Sequence, residues 1–462
     1  MSLSSSFEKA FRTLLPAPFT IAVVLTLVTM VLVLVLTTSE ATGIDRGIEI
    51  LTFWENGIWN SGLMVFAMQM MLILVLGHTL ALTKPVDALI GFATRYCNTT
   101  ASAAAIVTFL TMNVALFNWG LGLIFGAILA RKVGEHAAKK NLKLNYPLIG
   151  AAGYSGLMVW HGGISGSAPI KVAEQGHITS LMNDIVSPEQ LSLLPDPVLF
   201  SETVFGNMNL TVTVLVIIIL PLFMFFLGKR SDKKTELPKV SNSAQTTKEK
   251  VFGAERLDNS RIFALGFGML ILGYSAYSAV HSFPEKGLGF ITPNFINFIL
   301  LGLGITLHGS FKNFISAIED AIGGAAGILI QFPLYFGIMG IMNSSGLVNT
   351  FSDFFVNISN ETTFPIFTLI SAGIVNIFVP SGGGQWGVQG PIILQAAIEL
   401  GANIPKSIMA LAYGDQLTNM LQPFWALPLL GITGLKAKEI LPYTVALMGV
   451  GTIIFVAVLL IF

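Results

Sequence analysis

The sequence is poor in charged residues, which make up only 11% of its 462 residues. Because about a quarter of a soluble globular protein is charged, an ordinary soluble enzyme is excluded. A single cysteine, Cys97, excludes an internal disulfide and a metal site built on cysteines. The sequence also lacks a Walker A loop and an aspartyl-phosphate signature, which argues against a primary pump. Its 25 basic and 25 acidic residues cancel, so the net charge indicates no nucleic-acid partner.

Long apolar stretches occupy most of the chain. Because a bilayer core requires about 20 apolar residues for each helix, these stretches predict an all-α polytopic membrane protein. Apart from Asp415 in one of them, the stretches contain no Asp, Glu, Lys or Arg. They are 13–39, 56–83, 96–130, 144–170, 203–228, 262–284, 287–311, 321–352, 362–398, 407–435 and 440–462.

Two of these stretches, 96–130 and 362–398, are too long for one crossing and too short for two. Each is interrupted near its middle, by Asn-Trp-Gly-Leu-Gly at 118–122 and by Pro-Ser-Gly-Gly-Gly-Gln at 380–385. A re-entrant helical hairpin accounts for both properties, because irregular backbone at membrane depth is tolerated where protein or a wet cavity surrounds it. A tilted, kinked helix is the alternative.

Two further stretches, 144–170 and 407–435, have polar or helix-breaking residues at their centres and predict interrupted helices. Paired interruptions in two halves of a chain are typical of the substrate site of a secondary transporter. The order of span, span, hairpin, interrupted span and span recurs at offsets of about 260 residues, which predicts an internal repeat. The predicted units are a first repeat at 1–228, a cytoplasmic linker at 229–261, a connecting span at 262–284 and a second repeat at 287–462.

Basic residues are sorted along the chain in a way that predicts its orientation, because cytoplasmic loops collect Lys and Arg. A cytoplasmic N-terminus puts all but four of the 25 basic residues inside and turns the second repeat upside down. The four outside are Arg46, Lys171, Lys286 and Lys406. In this trace 40–55 and 171–202 are acid-rich outer segments, 312–320 is a loop, and the C-terminus is outside. Inverted repeats with paired broken helices are the architecture of a secondary transporter.

The two hairpin tips and the interrupted helices supply the predicted substrate site. Glycines let a ligand approach the backbone, and the free N–H groups at a helix start favour a carboxylate. A packing kink lined by glycines is the alternative at each tip. The predicted substrate-binding residues are Asn118, Trp119, Gly120, Ser165, Ser167, Ser381, Gly382, Gly383, Gly384, Gln385 and Asn419.

Asp415 is the one charged residue placed deep in a predicted span, and an intramembrane carboxylate is a functional hypothesis by default. It predicts coupling to a proton or to Na⁺, with a structural carboxylate as the alternative. His161 can titrate near neutral pH, although a lone histidine among glycines is more often structural. The predicted coupling residues are Asp415, Thr418, Asn376 and His161, and no other cofactor or metal is expected.

Several of these runs resemble the bacterial short-chain fatty acid transporter family over essentially the whole chain. The most specific are Pro-Ser-Gly-Gly-Gly at 380–384 and Gln-Pro-Phe-Trp-Ala-Leu-Pro at 422–428. The resemblance implies uptake of acetoacetate or butyrate across the bacterial cytoplasmic membrane. It also implies kinship with the ion transporter superfamily, and hence a homodimer with an elevator motion. In the family that the chain resembles, glycine, histidine and glutamate are often found where this chain has His161, Gln385 and Asp415.

The sequence thus predicts a cation-coupled secondary transporter of small monocarboxylates. A transporter or exchanger of dicarboxylates is the main alternative, and a channel or an intramembrane enzyme is a weaker one. No intramembrane Lys or Arg is predicted to hold a second negative charge, which favours a monocarboxylate.

Overall fold

The computed structural model describes residues 16–183, 186–231, 235–238, 253–286 and 290–462. Within these ranges the secondary structure is helical, without strands. Seven helical segments are long and apolar enough to cross a membrane, and three shorter apolar helices accompany them. The prediction of an all-α polytopic membrane protein is confirmed. Most of the predicted linker, at 232–234 and 239–252, lies outside the described residues, as do residues 1–15 of the first repeat.

The first half of the chain contains the two arms of one hairpin and one interrupted helix. Its helices are α1 Pro18–Leu36, α2 Gly43–Ile58, α3 Ser61–Ala81, α4 Lys84–Thr94, α5 Thr100–Phe117, α6 Trp119–Lys139, α7 Tyr146–Tyr154, α8 Ser167–Ala173, α9 His177–Met182, α10 Pro188–Leu191 and α11 Asn207–Lys229.

The second half shows the same order of long and broken helices. A short helix, α12 Glu255–Asp258, precedes the connecting helix α13 Arg261–Lys286, which covers the predicted span at 262–284. The remaining helices are α14 Pro293–His308, α15 Phe311–Ile322, α16 Ala326–Ser344, α17 Leu347–Asn357, α18 Phe364–Phe378, α19 Gly382–Leu400, α20 Ile404–Thr418, α21 Pro423–Thr433 and α22 Ala437–Ile461.

Both long apolar stretches consist of two helices joined by a tight turn. Asn118 ends α5 and begins α6 in extended conformation. Residues 379–381 separate α18 from α19, and the Ser381 side chain caps the second arm. Both interrupted helices also break where the sequence predicts. Helix α7 passes through a short 3₁₀ turn at Ser155–Met158 into irregular backbone before α8 begins. Helix α20 gives way to a 3₁₀ turn at Asn419–Leu421 before α21 begins.

The predicted loop at 312–320 is wrong, because these residues lie within α15. Phe314, Ala317 and Ala321 are buried along one face of this helix, while Glu319 and Asp320 are exposed. A short amphipathic helix therefore separates its charges by face, and counting charges along the sequence does not reveal it.

Most of the acid-rich segment 40–55, which is predicted to lie outside, is also helical, because it lies within α2. Arg46 is buried and forms an ion pair with Glu49. The helix packs against α16 at Gly57, where a Cβ atom would lie 2.4 Å from the Phe336 carbonyl oxygen. A glycine at the crossing thus lets the two backbones approach closely, as is typical of helix packing in membranes.

Candidate transport site

The tip of the first hairpin is anchored to the first interrupted helix by two backbone groups. The Asn118 side chain accepts a hydrogen bond from the Leu121 backbone N–H at 3.0 Å, which caps α6. The Trp119 N–H donates to Ser165 Oγ at 2.9 Å. The Ile164 N–H donates to the Leu116 carbonyl, also at 2.9 Å. The irregular backbone of residues 159–166 therefore obtains hydrogen-bond partners from the hairpin, as buried polar groups require.

The tip of the second hairpin also contacts the first interrupted helix. A Cβ atom on Gly382 would lie 2.7 Å from Trp160 Cη2, 2.9 Å from Asp415 Oδ2 and 3.0 Å from His161 Cε1. A Cβ atom on Gly383 would lie 4.0 Å from Ser167 Oγ. The tip thus lies directly against the buried polar centre, and Gly382 is required there for close approach.

His161 and Asp415 form that centre. Nδ1 of His161 lies 2.6 Å from Asp415 Oδ2, and the two side chains are 0% and 1% exposed. The Ala168 N–H donates to the other ring nitrogen, Nε2, at 3.1 Å. Nε2 therefore carries no hydrogen in this arrangement, and a neutral imidazole has its hydrogen on Nδ1, facing Asp415. The two residues come from different halves of the chain and form a contact that a proton can bridge.

Gln416 ties the two interrupted helices together at the same level. Its Oε1 accepts from the His161 N–H at 3.1 Å and from the Gly162 N–H at 3.3 Å. On the other side of the break, the Tyr154 hydroxyl donates to the Asn419 carbonyl at 2.8 Å. Each broken helix therefore supplies hydrogen-bond partners to backbone groups that the break leaves unpaired in the other.

Asn376 places its amide nitrogen at the second helix break, close to three oxygens. Its Nδ2 lies 2.7 Å from the Asp415 carbonyl oxygen, 2.9 Å from Thr418 Oγ1 and 2.9 Å from Asn419 Oδ1. Gln422 in turn donates to the Asn376 carbonyl. The predicted coupling residues Asn376, Thr418 and Asp415 therefore form one cluster. The oxygens that could bind a cation there face the Asn376 amide nitrogen instead.

Three predicted substrate residues lie elsewhere in the hairpins. Gln385 is fully buried between the arms of the second hairpin, where Nε2 donates to the Ala372 carbonyl at 2.8 Å and to Gln389 at 2.7 Å. Gly120 faces Ile73 rather than the opposite tip. The Gly384 N–H donates to Ser381 Oγ at 3.2 Å and so belongs to the helix cap.

The sequence prediction missed an aromatic cluster between the two tips. The Trp119 ring centroid lies 6.0 Å from that of Trp160 and 5.3 Å from that of Trp425. Trp160 also stacks on the His161 ring at 4.4 Å. The signal was available, because Trp160 and Trp425 each stand beside a helix break in a long apolar stretch.

The segment between α8 and α11 covers the outer side of the second hairpin. Ile178 and Met182 pack in an apolar cluster with Trp386 of α19. The buried Trp386 indole N–H donates to His177 Nε2 at 3.0 Å. Burial lowers the pKa of His177, and Lys171 lowers it further. The neutral form that accepts this hydrogen bond is thereby favoured.

Solved structures with a detectable likeness to this chain are distant. Neisseria gonorrhoeae MtrF, described as illuminating a class of antimetabolite efflux pumps, has a TM-score of 0.42 and 14% identity, over 99% of this chain and 97% of that one. The YdaH transporter of Alcanivorax borkumensis has a TM-score of 0.44 and 14% identity, over 95% of this chain and 97% of that one. Likeness at this level carries no weight here.

Sequence relatives are much closer and span nearly the whole chain. A protein of Escherichia coli (strain K12), named "putative short-chain fatty acid transporter", is 38% identical over 97% of this chain and 96% of its own length. A protein of Haemophilus influenzae with the same name is 36% identical over 93% of this chain and 92% of its own. The short chain fatty acid transporter family matches residues 2–462. The chain therefore belongs to the short chain fatty acid transporter family, and its class of activity is membrane transport rather than catalysis.

Proposed function

We propose that this protein takes up small monocarboxylates such as butyrate or acetoacetate, driven by a proton gradient. Membership of the family supports the substrate class, because two relatives carry a name that specifies short-chain fatty acids. The observation that supports proton coupling is the buried contact between His161 and Asp415 directly beneath Gly382. The substrate carboxylate binds at the two hairpin tips, near the free N–H groups of the second arm.

Coupling follows from the charge of Asp415. A substrate carboxylate at the second tip lies close to the Asp415 carboxylate, and like charges repel strongly where water is excluded. A proton taken up by the Asp415–His161 pair removes this repulsion. Proton binding and substrate binding therefore favour each other, which is the thermodynamic requirement for symport.

Na⁺ is the second candidate for the coupling ion, with the oxygens at the helix break as its ligands. Na⁺ coupling would require Asn376 to turn its amide, because Nδ2 now faces the Asp415 carbonyl, Thr418 Oγ1 and Asn419 Oδ1. In the arrangement present, these oxygens face the Asn376 amide nitrogen, whereas Oδ2 of Asp415 faces Nδ1 of His161, a ring nitrogen that can carry a proton. The contact between this carboxylate and the imidazole is thus the proposed place of the coupling proton.

The same proposal includes the cellular arrangement. The protein lies in the bacterial cytoplasmic membrane as a homodimer, with its N-terminus inside and its C-terminus outside. The first hairpin enters from the cytoplasm and the second from outside, in repeats of opposite orientation. The sorting of basic residues supports the orientation, and the matching order of helices in the two halves supports the repeat.

Uptake into proteoliposomes tests the proposal. Labelled butyrate, acetoacetate and succinate are offered under a proton gradient or a Na⁺ gradient, each imposed alone. We expect butyrate and acetoacetate to accumulate above equilibrium with the proton gradient only. The Asp415→Asn variant is expected to exchange butyrate across the membrane but to lose gradient-driven accumulation.

The control variant is Asp320→Asn, which removes an exposed carboxylate from α15. It is expected to behave as wild type. Accumulation driven by Na⁺ alone, or full proton-driven uptake by Asp415→Asn, would overturn the coupling assignment. If succinate were preferred, the proposed substrate class would change from monocarboxylates to dicarboxylates. If cysteines placed in 229–261 reacted with a label only from outside, the proposed orientation would have to be inverted.

A further inference from the structure

The aromatic cluster between the hairpin tips contains two buried hydrogen-bond donors without an acceptor. We call Trp119, Trp160 and Trp425 the indole cluster. Trp160 and Trp425 are 4% and 5% exposed, and Nε1 of each is buried without a hydrogen-bond partner. A buried donor left unpaired is destabilising, because it has lost its hydrogen bond to water without replacing it. Native proteins rarely retain such a group unless water or a ligand completes it.

The indole cluster lies where the proposed substrate must bind. Trp119 belongs to the first hairpin tip. Trp160 stacks on His161, one member of the proposed coupling pair. Its ring also packs against Gly382 of the second tip. Trp425 opens the second half of the second interrupted helix and packs edge-on against Trp119. The cluster therefore joins all four elements from which the site is built.

Phenylalanine rings surround the cluster on its other side. Phe66 lies 6.2 Å from Trp119 and 6.1 Å from Trp425 between ring centroids. Phe332 stacks on Phe424 at 4.0 Å. We call Phe66, Phe332 and Phe424 the aromatic wall, and these three rings supply apolar surface but no donor, acceptor or charge. The cluster and the wall together suit a ligand with one anionic head and a short aliphatic tail.

We propose that the indole N–H groups of Trp160 and Trp425 bind the substrate carboxylate and that the aromatic wall receives its hydrocarbon chain. This inference rests on the proposed function and names the residues that recognise the substrate. Indole nitrogen donates and does not accept, so the missing partner is an acceptor and not a cation. A second carboxylate on the ligand would lie against aromatic rings that offer it no partner, and its burial would be costly. The arrangement thus selects monocarboxylates.

Indole N–H resonances of the full chain provide a direct test. The protein has six tryptophans, and substitution of each by phenylalanine assigns its signal in ¹⁵N-labelled protein in lipid nanodiscs. We expect butyrate to shift the signals of Trp160 and Trp425 downfield. Butan-1-ol, which has the same chain without a carboxylate, is expected to produce a smaller shift.

Trp54 is the matched control. Its Nε1 is also buried without a hydrogen-bond partner, but it packs against Gly337 in the crossing of α2 and α16. Its signal is expected to stay in place, and Trp54→Phe to leave transport unchanged. Signals of Trp160 and Trp425 that do not respond to saturating butyrate, in protein that transports butyrate, would overturn the inference.

Transport kinetics provide the second readout. Trp160→Phe and Trp425→Phe keep an aromatic ring but remove the N–H, so each is expected to raise the KM for butyrate about tenfold while preserving the maximal rate. A merely structural role would lower the maximal rate or the yield instead. A KM within about twofold of wild type in both variants would contradict the inference. Absence of butyrate transport by wild type would instead overturn the proposed function.

Discussion

The two hairpin tips have the same backbone plan, a tight turn between two helices, but they present different side chains to the site. The first tip carries bulky side chains, Asn118 and Trp119, and its backbone is held by Ser165. The second tip carries a proline and three glycines, and it enters the polar centre by close backbone approach at Gly382. The difference indicates that the first tip is an anchored wall of the site. The second tip lies directly against His161 and Asp415.

The two hairpins also differ in the contacts that hold them against the rest of the protein. Arg131 in the second arm of the first hairpin forms an ion pair with Glu135 and donates to the Ile432 carbonyl at 2.6 Å. The second hairpin is instead covered by the segment after α8, through an apolar cluster and the hydrogen bond from Trp386 to His177. A charged anchor thus holds one hairpin, whereas a neutral contact that can titrate holds the other.

The largest expected effect is at the second tip. Gly382→Ala introduces a methyl group within 3.0 Å of Trp160, Asp415 and His161, and overpacking of this kind costs about 1–3 kcal/mol. Butyrate uptake in proteoliposomes should fall about 10- to 100-fold.

Gly383→Ala is the matched control for the second tip, because its nearest neighbour is 4.0 Å away. Gly120→Ala is the control for the first tip, where the nearest atoms lie at 3.6 and 3.8 Å. Both should retain uptake within a few-fold of wild type. Equal losses in all three variants would remove the proposed difference between the tips.

An intermediate effect is expected where the first tip is anchored. Ser165→Ala leaves the Trp119 N–H without its acceptor, at a cost of about 1–3 kcal/mol. Ser381→Ala removes only a helix cap at a half-buried tip, at a cost of about 1 kcal/mol. Thermal unfolding of the purified variants should therefore show the larger decrease in Tm for Ser165→Ala. The opposite order would assign the anchored role to the second tip.

The smallest expected effect is a pH dependence confined to the cover of the second hairpin. Neutral His177 accepts from Trp386, and its pKa is lowered by burial and by Lys171, against the opposing charges of Glu174 and Asp196. The contact is therefore complete above the ordinary imidazole pKa of about 6.5. It weakens below that pH and is lost as the pH falls through the lowered pKa.

Hydrogen exchange of the amides in 174–183, corrected for the intrinsic pH dependence of amide exchange, measures this change and should accelerate between pH 7.5 and pH 5. His177→Gln offers an amide oxygen to the same indole N–H and does not titrate, so it should abolish the acceleration. His281→Gln, at an exposed histidine of α13, should leave it intact. Acceleration that persists in His177→Gln would assign the pH dependence to another group.

The positions of the breaks could be predicted from the sequence, because glycine, proline and polar residues are costly within apolar helices unless a tertiary contact compensates them. Asp415 stood out for the same reason. The partners of these residues could not be predicted, since the contact between His161 and Asp415 joins residues far apart in the sequence.

Neighbouring residues at a tip can also face different ways, which sequence position alone does not reveal. Gln385 follows the tip glycines, yet one further step along α19 turns its amide towards Ala372 in the other arm. The helix at 311–322 was missed because its apolar face is only about three turns long and Lys312, Glu319 and Asp320 interrupt its apolar residues along the sequence.

The hydrogen bonds from the His161 and Gly162 N–H groups to Gln416 have a consequence for biosynthesis. The acceptor is translated about 250 residues after the donors. During membrane insertion, the first interrupted helix must therefore keep its break hydrated, or at the interface, until the second half arrives. These hydrogen bonds can form only after translation has passed residue 416, so the last steps of assembly bring together the two halves of the candidate site.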